Sequence, residues 1–291
     1  MGARSGERTV HEVLAAHGRP VRVVRPLGAG LDHAAYAVDD ELVVRVRRDG
    51  GDVAREARLL EELADALPLP VPRPVLTDPG RGVLAYRRLQ GRPALGLPGA
   101  RDHAAAIGAT LGRFVSLLHT LPSAAALLEV DDAPLGEWLE EARSLYPDVS
   151  GLLPEGRRDA VEAFLAARPP DPYDGEPVPA HNDLGTEHVL VDPATWQVTG
   201  IIDWSDAALT DPARDFARLY RDLGPEALRA ATATYRPGVD RALLDRARFY
   251  ARCGALEDLA YGREPYVATS LRSLDWLFPE QHPFRPQGDP P

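Results

Sequence analysis

The stretch from Ala180 to Asp215, AHNDLGTEHVLVDPATWQVTGIIDWSDAALTDPARD, constrains the fold more than any other part of the chain. It opens with His181-Asn182-Asp183, and His188 lies five residues after that aspartate. Residues 189–192 form a β-type run. A turn with Pro193 and Thr195 follows, then a second run at 198–202 that ends on Asp203-Trp204. The pattern predicts a loop feeding a two-stranded ribbon with polar groups at both mouths. Such a ribbon brings Asp183, His188 and Asp203 into one small volume.

That set suits phosphoryl transfer. One carboxylate must orient the attacking hydroxyl and take its proton, while further ligands hold the metal that neutralises phosphate oxygens. The protein-kinase template, H-R-D-x-x-x-x-N followed by the aspartate of D-F-G, has the same order. Here Asn182 stands for the arginine, His188 for the asparagine, and Asp203-Trp204-Ser205 for D-F-G. The segment resembles the aminoglycoside phosphotransferase family of antibiotic kinases. That family's usual forms are H-G-D-L-x-x-x-N, then I-D-W, then D-P-x-x-D. Histidine at 188 is similar to the macrolide phosphotransferase branch.

Composition sharpens the comparison. The chain has 291 residues, 44% apolar and 26% charged, as in an ordinary soluble globular protein. No apolar run approaches a membrane span, and the first residues lack the apolar core of a signal peptide. The single cysteine, Cys253, fits a reducing, cytoplasmic setting and sits in a helical pattern as a packed thiol. The net charge of −11 argues against nucleic acid as a partner and tolerates a cationic substrate. There is no lysine, and Asn182 is the sole asparagine. In a kinase-like fold the phosphate-pairing cation therefore has to be arginine, and the downstream metal ligand cannot be asparagine.

Residues 9–17 read as a helix closed by Gly18. Strands are predicted at 21–27, 34–38 and 41–47, with a turn through Gly28, Gly30 and His33 between the first two. G-x-G-x-x-G is incomplete, because His33 takes the third glycine position. In the resemblance this turn covers the nucleotide phosphates. Arg45 falls mid-strand at the position of the family's phosphate-pairing lysine. It either takes that role or shares a solvated strand face with Arg47 at period two. Glu56, near the start of a predicted helix at 53–67, pairs with Arg45 in the resemblance or serves as a first-turn carboxylate for the helix dipole, and it could do both. Residues 67–74, LPLPVPRP, are a stiff extended connector. Residues 82–89 are the last strand before a hinge at Gln90-Gly91, and the resemblance implies that main chain near 86–89 receives the purine.

Further helices are predicted at 102–121, 135–146, 157–167, 225–235, 240–261 and 265–278, with another beginning at Asp211-Pro212. The resemblance gives Asp215 a buttressing role rather than a chemical one. Glu257, Asp258, Glu264 and Asp275 are candidate partners for ammonium groups of an acceptor.

The expectation is an α+β, two-lobed protein-kinase-like fold. A nucleotide-binding lobe with a small antiparallel sheet covers 1–90, a helical lobe covers 91–278, and a proline-rich, disordered tail covers 279–291. The implied reaction moves the γ-phosphate of ATP or GTP to a hydroxyl of a small molecule, an antibiotic in the first instance. Asp183 is the catalytic base. His188 and Asp203 hold Mg2+, although His188 could instead donate to phosphate because magnesium prefers oxygen ligands. Arg45, Glu56, Gly28 and Gly30 serve the nucleotide. The partners are nucleotide and acceptor, with no nucleic acid and no membrane, and the protein is a monomer or homodimer. The rivals are a choline-, homoserine- or sugar-kinase relative and a nucleotide-binding pseudokinase. Zinc hydrolysis by His181, His188 and Asp203 has poor ligand spacing.

Overall fold

The computed structural model describes residues 3–30, 33–48 and 52–279. Its elements run α1 (Ala3–Ala16), β1 (Val24–Ala29), β2 (His33–Val38), β3 (Leu42–Arg47), α2 (Val53–Ala66), β4 (Pro74–Asp78), β5 (Val83–Arg87), β6 (Arg92–Pro93), α3 (Ala104–Leu118), α4 (Pro122–Ala125), α5 (Leu135–Val149), α6 (Glu155–Ala166), β7 (Val178–Ala180), β8 (Val189–Val191), β9 (Val198–Ile201), β10 (Ala208–Thr210), α7 (Ala213–Leu223), α8 (Pro225–Thr234), α9 (Arg241–Tyr261) and α10 (Tyr266–Leu277). The turn expected at 28–33 is described except for residues 31 and 32. The tail from residue 280 onward lies outside the described residues.

The first sheet is antiparallel, in the order β1-β2-β3-β5-β4. Its faces follow from the period of β3, because successive side chains of a strand point to opposite sides. Val44 and Val46 join Val10, Val13 and Leu14 of α1 in one core. Val43 faces the other way, into a core with Val53, Leu60 and Leu63 of α2. Arg45 and Arg47 share this second face, as the period-two spacing predicts, but it is not solvated: Arg45 is 4% exposed. Strand β4 was not anticipated, since Pro74 heads it and its run is short. A proline is tolerated there because β4 is the sheet's edge.

The rest of the chain is mostly helical. The predicted ribbon forms as β8 against β9, with Val189 opposite Ile201 and β6 added at its edge. It is tied back towards the first sheet: Ile201 N donates to Pro70 O at 2.9 Å and Thr199 Oγ1 to Gln90 O at 2.7 Å. Gly91, at φ 105°, fits only as glycine, since a Cβ there would lie 2.2 Å from Thr199 Oγ1. Cys253 is buried in α9 as a free thiol, and burial pushes its pKa up to about 12.

Helices α3 and α8 meet backbone to backbone through the spacing Gly108-x-x-x-Gly112. A Cβ on Gly108 would lie 2.3 Å from Ala227 O, and one on Gly112 would lie 2.1 Å from Ala231 O. Small residues one helical turn apart permit this approach. Gly112→Ala should therefore destabilise the protein by about 1–3 kcal/mol through overpacking, despite alanine's better helix propensity. Gly136→Ala is the control, because a Cβ there meets nothing within 4 Å. Urea midpoints of the two variants should move in different ways: clearly down for the first, and unchanged or slightly up for the second.

Candidate active site

The loop from His181 to His188 is held by one stripe of α7. Residues 215, 218 and 222 follow the i, i+3, i+7 spacing of a single helix face. Asp215 accepts from the backbone N–H groups of His181 at 3.1 Å and Asn182 at 2.8 Å. Arg218 Nε lies 3.1 Å from Asp183 Oδ1. Asp222 accepts from the backbone N–H of Thr186 at 2.7 Å and from its hydroxyl at 2.8 Å. Asp215 also meets His119 Nε2 at 3.0 Å, and His119 Nδ1 meets the Tyr235 hydroxyl at 2.9 Å. Burial alone would raise the Asp215 pKa. The hydrogen bond and charge of His119 outweigh it, and the carboxyl is held below its ordinary range.

Asn182 takes φ 68°, a left-handed conformation that asparagine tolerates better than most residues. This explains an asparagine where the resembling motif has glycine. Its amide donates to Asp131 Oδ2 and to Asp206 O, each at 3.0 Å, and its Oδ1 accepts from Arg214 at 3.1 Å.

From the loop a chain of contacts crosses to the first sheet. His188 Nδ1 lies 2.8 Å from the carbonyl oxygen of Asp183. A carbonyl can only accept, so Nδ1 carries the hydrogen and Nε2 faces outward. Nε2 lies 3.6 Å from Asp203 Oδ2. Asp203 Oδ1 lies 3.1 Å from Arg45 Nη2 and accepts from the Ser205 hydroxyl at 2.9 Å. Arg45 Nη1 donates to Glu56 Oε1, a buried ion pair, and Arg47 lies 4.0 Å from the other Glu56 oxygen. Glu56, Arg45, Asp203, His188 and Asp183 therefore form one continuous run.

The electrostatics follow from this run. Burial works to raise the Asp203 pKa, but Arg45, His188 and His33 outweigh it and hold the carboxyl well below the usual range. Asp183 is also depressed, since Arg218 and then His188 overcome its burial. Burial disfavours the charged form of His188, yet Asp183, Glu187 and Asp203 together raise its pKa. His181 is fully buried. It donates from Nε2 to Ile202 O at 3.0 Å, and burial lowers its pKa.

Besides Arg218, two residues at the site, His33 and Glu187, have no role assigned from the sequence. His33 was noted only as the residue replacing a glycine. Its Nδ1 lies 3.0 Å from Arg45 Nη2 and its Nε2 lies 3.7 Å from Asp203 Oδ2. Glu187 joins Asp183 and His188 in a group whose donor atoms all lie within 4.8 Å of one another. Its Oε2 is buried without a hydrogen-bond partner. Gly28 and Gly30 have no positive φ, and a Cβ at either would meet nothing within 4 Å, so internal packing does not require them to be glycine. The carboxylates expected to meet an ammonium group are largely matched by arginine. Asp258 faces Arg221 at 3.2 Å, Asp275 faces Arg157 at 3.0 Å, and Glu257 faces Arg218 at 3.5 Å, while Glu264 is exposed.

Residues 23–251 match the model of the phosphotransferase enzyme family. The chain belongs to that family. Among curated relatives, viomycin phosphotransferase of Streptomyces vinaceus is 33% identical over 99 residues. That match spans about a third of each protein, 33% of this chain and 34% of the relative. Among solved structures, the GDP complex of aminoglycoside 2'-phosphotransferase-IIIa has a TM-score of 0.67 at 22% identity, covering 92% of this chain and 97% of that one. Macrolide 2'-phosphotransferase type I has a TM-score of 0.63 at 24% identity, covering 94% and 98%. These structural likenesses establish the shared α+β fold. Among the described residues, no helix is long and apolar enough to cross a membrane.

Arg221, fully buried, is shared by Asp222 at 2.6 Å, Asp258 at 3.2 Å and Glu187 at 3.4 Å. One guanidinium offsets only part of the desolvation of three carboxylates, and burial pushes Asp258 up to about 7. Because the folded pKa lies above the unfolded value near 3.9, the protonated form favours the native state. That contribution is fully present below about pH 4 and is lost as pH rises through about 7. Asp258→Asn should therefore flatten the fall in stability across that window, as read from urea midpoints of both proteins at intervals between pH 4 and 8.

Proposed function

We propose that the protein transfers the γ-phosphate of ATP or GTP to a hydroxyl of a small-molecule antibiotic and so inactivates it. The observation that carries this reading is the unbroken run from Glu56 through Arg45, Asp203 and His188 to Asp183. It joins a cation on the sheet to a carboxylate on the loop through direct side-chain contacts. We divide the chain near residue 90 into a nucleotide-binding part and a helical, acceptor-binding part. The protein acts in the cytoplasm as a monomer or homodimer.

In this reading Arg45, fixed by Glu56, meets the nucleotide phosphates. The turn at Gly28 and Gly30 covers them with backbone, the role that leaves glycine without an internal reason. Main chain near residues 86–89 takes the purine, although Arg88 N–H already donates to Glu41 O at 2.8 Å. Asp183 orients the acceptor hydroxyl. Its depressed pKa makes it a weak base, which suits a loose transition state in which the proton leaves late.

The donors present fit a magnesium ion. Asp203 Oδ2 lies 3.6 Å from His188 Nε2, and Asp183, Glu187 and His188 form a group of donors within 4.8 Å of one another, in which Glu187 Oε2 is buried with no hydrogen-bond partner. Asp203 is the principal holder, since magnesium favours oxygen, with His188 beside it. Bound there, the ion would neutralise charge on the phosphate oxygens. Viomycin, the acceptor that names the 33%-identical relative, is the first candidate substrate, followed by aminoglycosides and macrolides.

The test incubates purified protein with magnesium, ATP or GTP, and each antibiotic, and reads products by mass. A gain of one phosphate on a panel member is expected. Asp183→Ala should reduce that rate by about 10²–10⁴-fold. Transfer that persists at the wild-type rate in this variant would remove Asp183 from the mechanism. His188→Ala with unaltered magnesium dependence would remove that ligand alone.

A further inference from the structure

Asp215 and Asp222 of α7 satisfy backbone N–H groups of the loop, but Arg218 between them does not. Arg218 holds the side chain of Asp183 itself, through Nε to Oδ1 at 3.1 Å. The loop offers no cation of its own between Asp183 and His188, its residues being Leu184, Gly185, Thr186 and Glu187, and the chain has no lysine. Arg45, on β3, is committed to Glu56 and Asp203.

The Arg218 fork is fixed at its other end as well. Nη2 lies 3.5 Å from Glu257. Nη1 lies against Gly254 of α9, where a Cβ would come within 3.2 Å of it. Glycine is unfavourable in a helix interior, and a methyl at this position of α9 would press on the Arg218 guanidinium, with Arg221 Nη1 next nearest at 3.7 Å. The other Asp183 oxygen, Oδ2, has His188 Nδ1 at 3.5 Å, but the hydrogen on that nitrogen is directed to the Asp183 carbonyl.

We propose that Arg218 is the positioning residue for Asp183, holding Oδ1 so that Oδ2 is presented to the acceptor hydroxyl. This rests on the phosphotransfer reading above. In the step it serves, the acceptor oxygen bonds to the γ-phosphorus as the bond from that phosphorus to the β,γ-bridging oxygen breaks. The hydroxyl proton passes to Asp183 Oδ2, and the nucleoside diphosphate leaves. Arg218 stays charged throughout, next to the carboxyl that gains the proton.

The experiment compares wild type, Arg218→Ala, Arg218→Lys and Gly254→Ala in steady-state transfer to whichever acceptor the wild type phosphorylates. Arg218→Ala should lower kcat about a hundredfold, the scale of an ångström's misplacement, with the nucleotide KM within about threefold. Lysine cannot reproduce the fork, so Arg218→Lys should fall between alanine and wild type. Guanidinium ion at a non-denaturing concentration should raise kcat of Arg218→Ala about tenfold and leave Asp183→Ala unchanged. Gly254→Ala should lower kcat several-fold without lowering the urea midpoint, and it decides the matter if Arg218→Ala does not fold. A kcat within about threefold of wild type in Arg218→Ala, or an unchanged kcat in Gly254→Ala, overturns the assignment. A loss of kcat matched by a parallel rise in nucleotide KM does so too. A wild type that phosphorylates no acceptor overturns the functional reading, and this inference with it.

Discussion

The geometry of the site depends on a carboxylate that takes no part in the proposed chemistry. Asp215 is 1% exposed and accepts two backbone N–H bonds from the loop and one contact from His119. A buried carboxylate with fewer partners would be costly, and a buried N–H without an acceptor nearly as much so. Each side therefore requires the other. His181 and Asn182 are pinned to α7, Asp183 follows one residue later, and the ribbon β8–β9 carries Asp203 back to meet it. Tyr235 extends the network to the end of α8, so the loop's position is set by packing well beyond the site.

Arginine carries the electrostatic load of this structure. Arg45, Arg214, Arg218, Arg221 and Arg246 each meet carboxylates at buried or nearly buried sites. The planar fork lets one cation face several acceptors, as Arg221 does with Asp222, Asp258 and Glu187. Such clusters fix geometry more than they add stability, because desolvation consumes much of the Coulombic gain. They also alter what the carboxylates expected to meet an acceptor can offer. Asp258 and Asp275 look available in the sequence, yet each faces an internal arginine.

Much of the site was legible in the sequence because its parts lie in a short, ordered segment. Asp183, His188 and Asp203 fall at spacings that a loop and ribbon must bring together. Arg45 and Glu56 sit on a strand and helix whose periods are clear; burial removes the solvated-face reading of Arg45, while Glu56 both pairs with Arg45 and lies in the first turn of α2. Arg218 was not legible: on α7 it looks like any solvated helix charge, and only the i, i+3, i+7 relation to Asp215 and Asp222 gives a hint. His33 was hidden because its partners, Arg45 and Asp203, are distant in sequence, and Glu187 because its cation, Arg221, lies on another element. Short strands such as β4, β7 and β10 carry too few residues to show a period. They exist because tertiary pairing supplies what local pattern lacks.

Asn182 also bears on how the loop is ordered. Its left-handed backbone is a geometry that glycine enters freely, but glycine brings more conformational freedom from the unfolded chain and so loses more on folding. Asparagine starts with fewer states to lose, and its amide is then held by Asp131, Asp206 and Arg214. The segment presenting Asp183 is thus arranged during folding rather than during ligand capture. In the proposed reaction, little of the binding free energy of a nucleotide or acceptor would have to be diverted into ordering it, which leaves more for discrimination at the moment of reaction.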